Sequence, residues 1–195
     1  MMRIKRMGML GGALFLAACV SGGNREDPVW PALSVQPGET LLQARLNDSA
    51  GSVSMKRVGR NGSIDTWMSK DRYTISLDHG VLVATRGFGF DVMGSDAEPT
   101  LLGLRGGQAG VYTRRMRYLT GNEQSTWVQA GCRIGDPTRE ITAKGSVLRY
   151  TEVCQARRQS YTNSFWTDDS GRIVRSRQWV SAEIGYIDLT YTESR

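Results

Sequence analysis

The sequence is poor in the residues on which common catalytic and metal sites depend. It has one histidine and three cysteines in 195 residues. His79 lies in the turn-forming sequence Asp78-His79-Gly80, where a solvent-facing side chain is expected rather than a member of a catalytic triad. Two cysteines without histidines also make a poor zinc site. No Gly-x-Ser-x-Gly, Ser-x-x-Lys or phosphate-loop motif is present, so the sequence predicts neither a metal nor another cofactor.

Long hydrophobic runs are lacking as well. The apolar stretch 7–16 is too short to span a bilayer by itself. Arg3, Lys5 and Arg6 precede it, and small residues follow it. This arrangement is typical of a secretory signal, which we place at residues 1–18.

The signal ends in Leu16-Ala17-Ala18-Cys19, which resembles the lipobox of bacterial lipoproteins. The resemblance implies cleavage before Cys19 and lipidation of its thiol and its new amine. Three acyl chains would give a stable membrane anchor. Val20, where an aspartate would signal retention, resembles the default pattern for the outer membrane, so we expect a periplasm-facing outer-membrane lipoprotein. The alternative is an ordinary secretory signal that happens to end near a cysteine.

The net positive charge of the chain after removal of the signal segment is smaller than that of the full sequence. The formal net charge is +6, and the signal segment supplies Arg3, Lys5 and Arg6. No run of consecutive basic residues stands out in the remainder, and a periplasmic location argues against nucleic acid as a partner. Residues 19–39, with glycine, serine and proline, predict a lipid-anchored tether, and residues 40–195 are expected to form a single domain.

This domain has the pattern of an all-β protein. Short runs alternate apolar and polar residues, and turn-forming residues such as Asn61-Gly62 and Asp168–Gly171 separate them. The pattern predicts an antiparallel sandwich or barrel-like fold. One or two short helical turns are expected, at Leu41–Leu46 and Asp91–Asp96. The glycine-rich segment 86–110 is predicted to be a long loop, and long loops often carry function.

Cys132 and Cys154 remain after lipidation of Cys19. Strand alternation places each cysteine on one face of its own strand, and an oxidising compartment favours a disulfide between them over two free thiols. The same alternation puts Glu152 on the cysteine face, where a buried carboxylate needs a partner. Arg177, in the strand Ile173–Trp179, is the predicted partner, either in a structural ion pair or in a ligand site.

Four tryptophans fall in predicted strands. They are expected mainly as core or cross-strand partners, with a sugar-stacking platform as the functional alternative. The four are Trp67, Trp127, Trp166 and Trp179.

Four short blocks resemble the YjbF-like lipoproteins, the group 4 capsule lipoprotein family. The segment Leu82–Asp91 is similar to that family's Thr-x-Gly-Leu-x-x-Asp-Leu region, and Glu152-Val153-Cys154 fits its Glu-x-Cys. The segments Asn163–Trp166 and Gly171–Trp179 resemble its Asn-x-Tyr-Trp and Ser-x-Gln-Trp blocks. The departures are apolar: Phe88 replaces a leucine, Met93 stands in the second leucine region, and Phe165 replaces the tyrosine.

The resemblance implies a role in the production or export of capsule or exopolysaccharide, without enzymatic activity or catalytic residues to carry over. Polysaccharide or export proteins are the implied partners. Two other functions stay open: an enzyme acting on the polymer, such as a hydrolase or lyase, and a generic envelope scaffold.

We expect the glycine loop and the strand carrying Arg177 to form one functional surface, because a loop of glycines offers backbone amides without obstruction. The alternative is a purely structural role, in which these residues only anchor the loop to the sheet. The candidate residues are Thr85, Gly87, Asp91, Glu152, Asn163, Trp166, Arg177, Gln178 and Trp179.

Overall fold

The computed structural model describes residues 34–47, 51–106, 110–119, 124–143 and 145–194. The predicted signal segment and Cys19 lie outside the described residues. The residues just before the first strand lie beside Ser194, near the end of the described chain. Ser194 accepts hydrogen bonds from the backbone N–H groups of Gly38 (3.1 Å) and Glu39 (2.9 Å).

The described ranges contain thirteen strands and one short helix, which confirms the predicted all-β class. The strands are β1 (Thr40–Leu46), β2 (Val53–Asn61), β3 (Ile64–Ser69), β4 (Thr74–Asp78), β5 (Val81–Arg86), β6 (Val92–Ser95), β7 (Tyr112–Leu119), β8 (Ser125–Ile134), β9 (Thr138–Thr142), β10 (Gly145–Ala156), β11 (Ser160–Thr167), β12 (Ile173–Ser181) and β13 (Gly185–Glu193); the helix is α1 (Glu98–Leu104).

All of these strands belong to one antiparallel sheet. Its order is β5-β4-β3-β2-β1-β13-β12-β11-β10-β8-β7-β6, with β9 on the edge of β10. Most neighbours are joined by hairpins, and the first and last strands pair in the middle, from Thr40↔Glu193 to Leu46↔Ile187. The sheet curls until β5 and β6, at the two ends of this order, lie side by side, so the fold is a nearly closed barrel.

Side chains join the two ends of the sheet. The Val92 N–H donates to Thr85 Oγ1 at 3.0 Å, and Arg86 Nη1 donates to the Val92 carbonyl at 2.9 Å. These bonds hold β5 beside β6 where no backbone ladder runs between them.

The free edge of β5 is also covered by side chains. The Gln178 amide on β12 accepts from the Leu82 N–H at 2.8 Å and donates to the Gly80 carbonyl at 2.8 Å. Arg114 Nη2 on β7 donates to the Leu82 carbonyl at 3.4 Å. The backbone groups of Leu82 and the Gly80 carbonyl are therefore satisfied without a neighbouring strand.

The interior is filled by the inward-facing residues of the strands. Leu42, Trp67, Ile75 and Leu189 belong to the main cluster. A second cluster joins β5 and β11 to α1. The helix packs closely, because a Cβ added at Gly103 would lie 2.7 Å from the Ile134 side chain. Burial of this apolar surface is the main stabilising contribution.

The helix does not lie where short helical turns were expected. Leu41–Leu46 falls in β1, and Asp91–Asp96 contains β6. In β1 the buried positions Leu42 and Ala44 are two residues apart, which is the period of a strand. The helix instead occupies Glu98–Leu104, within the segment predicted to be a long loop, and has Pro99 in its first turn, where proline is favoured.

Candidate functional site

The structure divides the predicted site residues between the two faces of the sheet. Trp166 and Arg177 lie on the outer face, Gly87 lies in an exposed turn, and Trp179 is half-buried. The remaining candidates are buried: Thr85, Asp91, Glu152, Asn163 and Gln178. The candidate residues therefore belong to the same sequence motifs but do not form one accessible patch.

Thr85, Gly87 and Asp91 are brought together in the turn that links β5 to β6. Thr85 Oγ1 donates to Asp91 Oδ1 at 2.8 Å, and the Gly87 N–H donates to Asp91 Oδ2 at 2.9 Å. The Phe88 N–H also donates to Asp91, at 3.3 Å. Gly87 has φ +95, a conformation that favours glycine. The Asp91 carboxylate thus accepts hydrogen bonds from the loop N–H groups that we expected to be available to a ligand.

Glu152 lies at the centre of a buried hydrogen-bond network and has no exposed surface. Its Oε1 accepts from the hydroxyls of Thr100 and Tyr112, both at 2.6 Å. Its Oε2 accepts from Arg114 Nη1 at 3.0 Å and from Asn163 Nδ2 at 2.6 Å. Four donors from α1, β7 and β11 therefore satisfy the carboxylate of β10, as a buried charge requires.

The predicted pairing of Glu152 with Arg177 is wrong. Glu152 is buried on the cysteine face, as alternation indicated, but its ion-pair partner is Arg114, whose side chain is 1% exposed. Arg177 instead pairs with Asp188 at 2.8 Å on the outer face. The reason is that Gln178, the next residue of β12, points inward, so Arg177 must point outward. Alternation along Tyr112, Arg114 and Met116 was the signal that could have identified the true partner.

The network keeps Glu152 ionised. Burial alone would raise the pKa of its carboxyl, but the charge of Arg114 and the three neutral donors outweigh burial, so this pKa lies below its usual value. Burial, together with the neighbouring Glu152 charge, raises the pKa of Tyr112 far above its usual value. Both groups keep one protonation state near neutral pH, so the network is suited to a structural role rather than to proton transfer.

Cys132 and Cys154 form the predicted disulfide. They lie directly opposite each other in the β8–β10 pairing, with an S–S distance of 2.05 Å. Their sulfurs and a Glu152 oxygen lie within 4.8 Å of one another. The disulfide removes the thiolates that a metal would need, so this cluster is not a ligand set.

Asn163 and Trp179 support the point where β11 and β12 separate. Their ladder ends at the pair Ser164↔Arg177, and beyond it Asn163 Oδ1 accepts from the Trp179 N–H at 2.7 Å. The Trp179 ring stacks on Tyr161 with centroids 5.6 Å apart. Both candidates thus have a packing role at this opening.

A row of outward side chains crosses the sheet through Trp166. The register places Arg149, Trp166, Arg175 and Thr190 opposite one another on successive strands. The guanidinium of Arg175 lies 4.4 Å and that of Arg149 5.4 Å from the Trp166 ring centroid. Trp166 Nε1 donates to Glu140 at 2.8 Å. With 8% of its surface exposed, Trp166 supports arginines and is not open for sugar stacking.

The adjacent row is built around Asp188. Its Oδ2 accepts from Arg177 Nη1 at 2.8 Å and from Arg45 Nη2 at 3.1 Å. Arg177 also lies 4.8 Å from the Tyr186 ring centroid. We call the two rows together the arginine face; its charged members are Arg45, Arg149, Arg175, Arg177, Asp188 and Glu140. A depression of about 360 Å³ opens on it beside Arg45, Arg175 and Asp188.

The model of one protein family matches nearly the whole chain. It describes the group 4 capsule polysaccharide lipoproteins GfcB and YjbF, and it matches residues 18–192. The chain belongs to the YjbF family. Its motif residues near Asp91, Glu152 and Trp179 are thus explained by the buried contacts described above.

Comparison with solved structures shows the same fold. The crystal structure of the hypothetical lipoprotein YmcC from Escherichia coli (K12) is 16% identical, with a TM-score of 0.67 over 83% of this chain and 91% of the other. A search of the curated proteins found no match.

Membership of the YjbF family ties the protein to capsule polysaccharide and to the lipoproteins of the cell envelope. Within the described ranges, no helix combines the length and the apolar character needed to cross a membrane. Trp127, on the outer side of β8, is the one tryptophan of the described ranges with a largely exposed side chain, at 61%.

Proposed function

We propose that this YjbF-family protein is a non-enzymatic accessory factor of capsule or exopolysaccharide production or export. It acts from a lipid anchor at Cys19 on the periplasmic side of the outer membrane. Its functional contact is the arginine face, where polysaccharide or an export partner binds. The family match supports the process, and the outer face supports the mode of action.

The observation that carries this proposal is the division between a sealed interior and a charged exterior. The polar groups around Glu152 are all engaged in internal hydrogen bonds with its carboxylate. The arginine face, by contrast, presents Arg45 and Arg149 with 44% of each side chain exposed. Binding on a rigid outer surface needs only such exposed donors.

An enzyme acting on the polymer is supported less well. A glycosidase mechanism uses two accessible carboxyl groups, one of them with a raised pKa. Glu152 is inaccessible and has a lowered pKa. On the arginine face, Asp188 contacts two guanidiniums, and Glu140 contacts Arg149 and Trp166. Both carboxylates are therefore engaged in contacts within the face.

The proposal is tested by polymer output in cells. The double substitution Arg175→Gln and Arg177→Gln should lower the secreted polysaccharide by at least about tenfold if each arginine makes a charge-assisted contact. The lipoprotein should still accumulate to its normal level, because both side chains lie on the surface, where substitutions usually have small effects on stability.

Arg115→Gln is the matched control. Arg115 is exposed on β7, three strands beyond β11 in the order of the sheet, and carries the same charge. Its substitution should leave output unchanged. Loss of output only in proportion to lost protein, or equal loss in the control, would contradict the proposal.

The lipid anchor has a separate test. Cys19→Ser removes the only thiol that the lipobox offers for acylation, so the protein should move from the membrane fraction to the soluble fraction or keep its signal segment. Fractionation and mass measurement of the N-terminus distinguish these outcomes. A variant that is still acylated, processed and membrane-bound would show that the lipobox interpretation is wrong.

An export protein is the second candidate contact, favoured by one observation. Within the described ranges, β9 pairs only with β10, which leaves its other edge open to a strand of a partner. Ile141 on β9 is 81% exposed. Cross-linking from position 141 in cells would identify such a partner.

A further inference from the structure

We infer that the arginine face binds an acidic polysaccharide through the carboxylate groups of its uronic acid units. The inference rests on the proposed function and specifies the ligand of the same surface. It depends on three features: the charge of the face, the geometry of its guanidinium groups and the absence of exposed apolar side chains.

The face carries more positive than negative charge. Four arginines lie among two carboxylates, those of Asp188 and Glu140. Asp188 is shared between Arg45 and Arg177, so a single negative charge balances two guanidiniums. Within the described residues, Arg175 has no carboxylate at ion-pair distance and lies over the Trp166 ring. The face therefore attracts anions.

The guanidinium groups are held in place before a ligand arrives. Arg175 and Arg149 lie over the Trp166 ring, and Trp166 is fixed by its bond to Glu140. Arg177 is held by Asp188 and by the Tyr186 ring. A guanidinium has five donors in a planar fork that fits a carboxylate with two hydrogen bonds. Prior ordering lowers the entropy lost on binding.

The spacing of the arginines suits an extended polymer. The register places Arg149 on β10 and Arg175 on β12, with Trp166 on β11 between them. Because neighbouring strands lie about 4.8 Å apart, the backbone positions of these arginines are separated by about 10 Å across the sheet. Thr190 and Gln43 continue the row on β13 and β1 and add neutral hydrogen-bonding groups for sugar hydroxyls.

An anionic membrane is the competing ligand for a basic surface. Proteins that lie on a membrane usually combine basic residues with apolar side chains that enter the lipid. The large apolar side chains that are exposed in the described ranges, such as Trp127 and Ile141, are not members of the two rows. A face with only polar contacts favours a carbohydrate.

The inference is tested with the full-length protein in nonionic detergent. The probes are oligogalacturonate, the same oligomer after reduction of its carboxyl groups, and a soluble short-chain anionic phospholipid. We expect binding to oligogalacturonate that weakens as salt is added, and at least about tenfold weaker binding to the reduced oligomer. Calorimetry gives the dissociation constants.

Arg175→Gln and Arg177→Gln should each weaken binding to oligogalacturonate about tenfold, whereas Arg115→Gln should change it less than about twofold. Equal affinity for the acidic and reduced oligomers, or equal loss in all three variants, would overturn the inference. Binding to the short-chain anionic phospholipid alone would also overturn it.

Failure of this inference is separable from failure of the proposed function. If the arginine variants lower polymer output in cells but oligogalacturonate does not bind, the surface contacts an export partner or a neutral polymer, and only the acidic ligand is wrong. If the variants leave output unchanged, the proposed function is wrong whatever the oligomer does.

Discussion

Replacing Arg114 with methionine is expected to lower the free energy of unfolding by about 3–5 kcal/mol, the usual cost of leaving a buried charge without its partner. The Glu152 carboxylate would keep its three neutral donors but lose Arg114, the one cation that contacts it among the described residues. Urea denaturation at neutral pH measures the change.

Arg115→Met is the matched control, because Arg115 is the next residue of β7 and points to solvent. Its substitution should change the free energy of unfolding by no more than about 0.5 kcal/mol. Arg114→Met combined with Glu152→Gln should be more stable than Arg114→Met alone, because the double variant buries no unpaired charge. If Arg114→Met were as mild as Arg115→Met, the ion pair would not be the main interaction of this network.

The same pair predicts the response to acid. The pKa of Glu152 is lower in the folded protein than in the unfolded chain, so its contribution to stability is present above the unfolded value and is lost as pH falls through the folded value. Without Arg114 the folded pKa rises, because burial is then opposed only by neutral donors. The stability difference between wild type and Arg114→Met should therefore narrow as pH falls.

Removing the disulfide with Cys132→Ala and Cys154→Ala should lower the free energy of unfolding by about 3 kcal/mol, because a loop closed over 22 residues is released in the unfolded chain. Thermal and urea unfolding measure the change. A reducing agent should destabilise the wild type by a similar amount and leave the double variant unaffected. Unchanged unfolding of fully reduced wild type would contradict this account.

Local patterns predicted the fold class well. Alternation and turn chemistry indicated most strands, and the hairpin at Asn61-Gly62 joins β2 to β3 as expected, with Gly62 at φ +58. The helix was missed because its seven residues include Gly103, a poor helix former. That glycine is required by close packing against Ile134, a contact that a local pattern does not contain.

The site could be predicted only in part, for a related reason. Alternation tells which face of a strand a residue occupies, so Glu152 was placed beside Cys154. It does not tell which strand lies opposite, because sheet order is set by pairing between distant segments. Arg114 is 38 residues from Glu152, and no local pattern links the two residues. The arginine face has the same origin, since β10, β11 and β12 bring its arginines together.

The Gln178 amide has a consequence for how this family can diverge. Hydrogen bonds of a backbone ladder persist through most amino-acid replacements, because every residue except proline carries the same two groups. At the edge of β5 the partner is instead the side chain of Gln178, so a single amino-acid substitution can remove it. A substitution at Gln178 can therefore loosen the contact between β5 and β12 at one point and leave the other strand pairings in place.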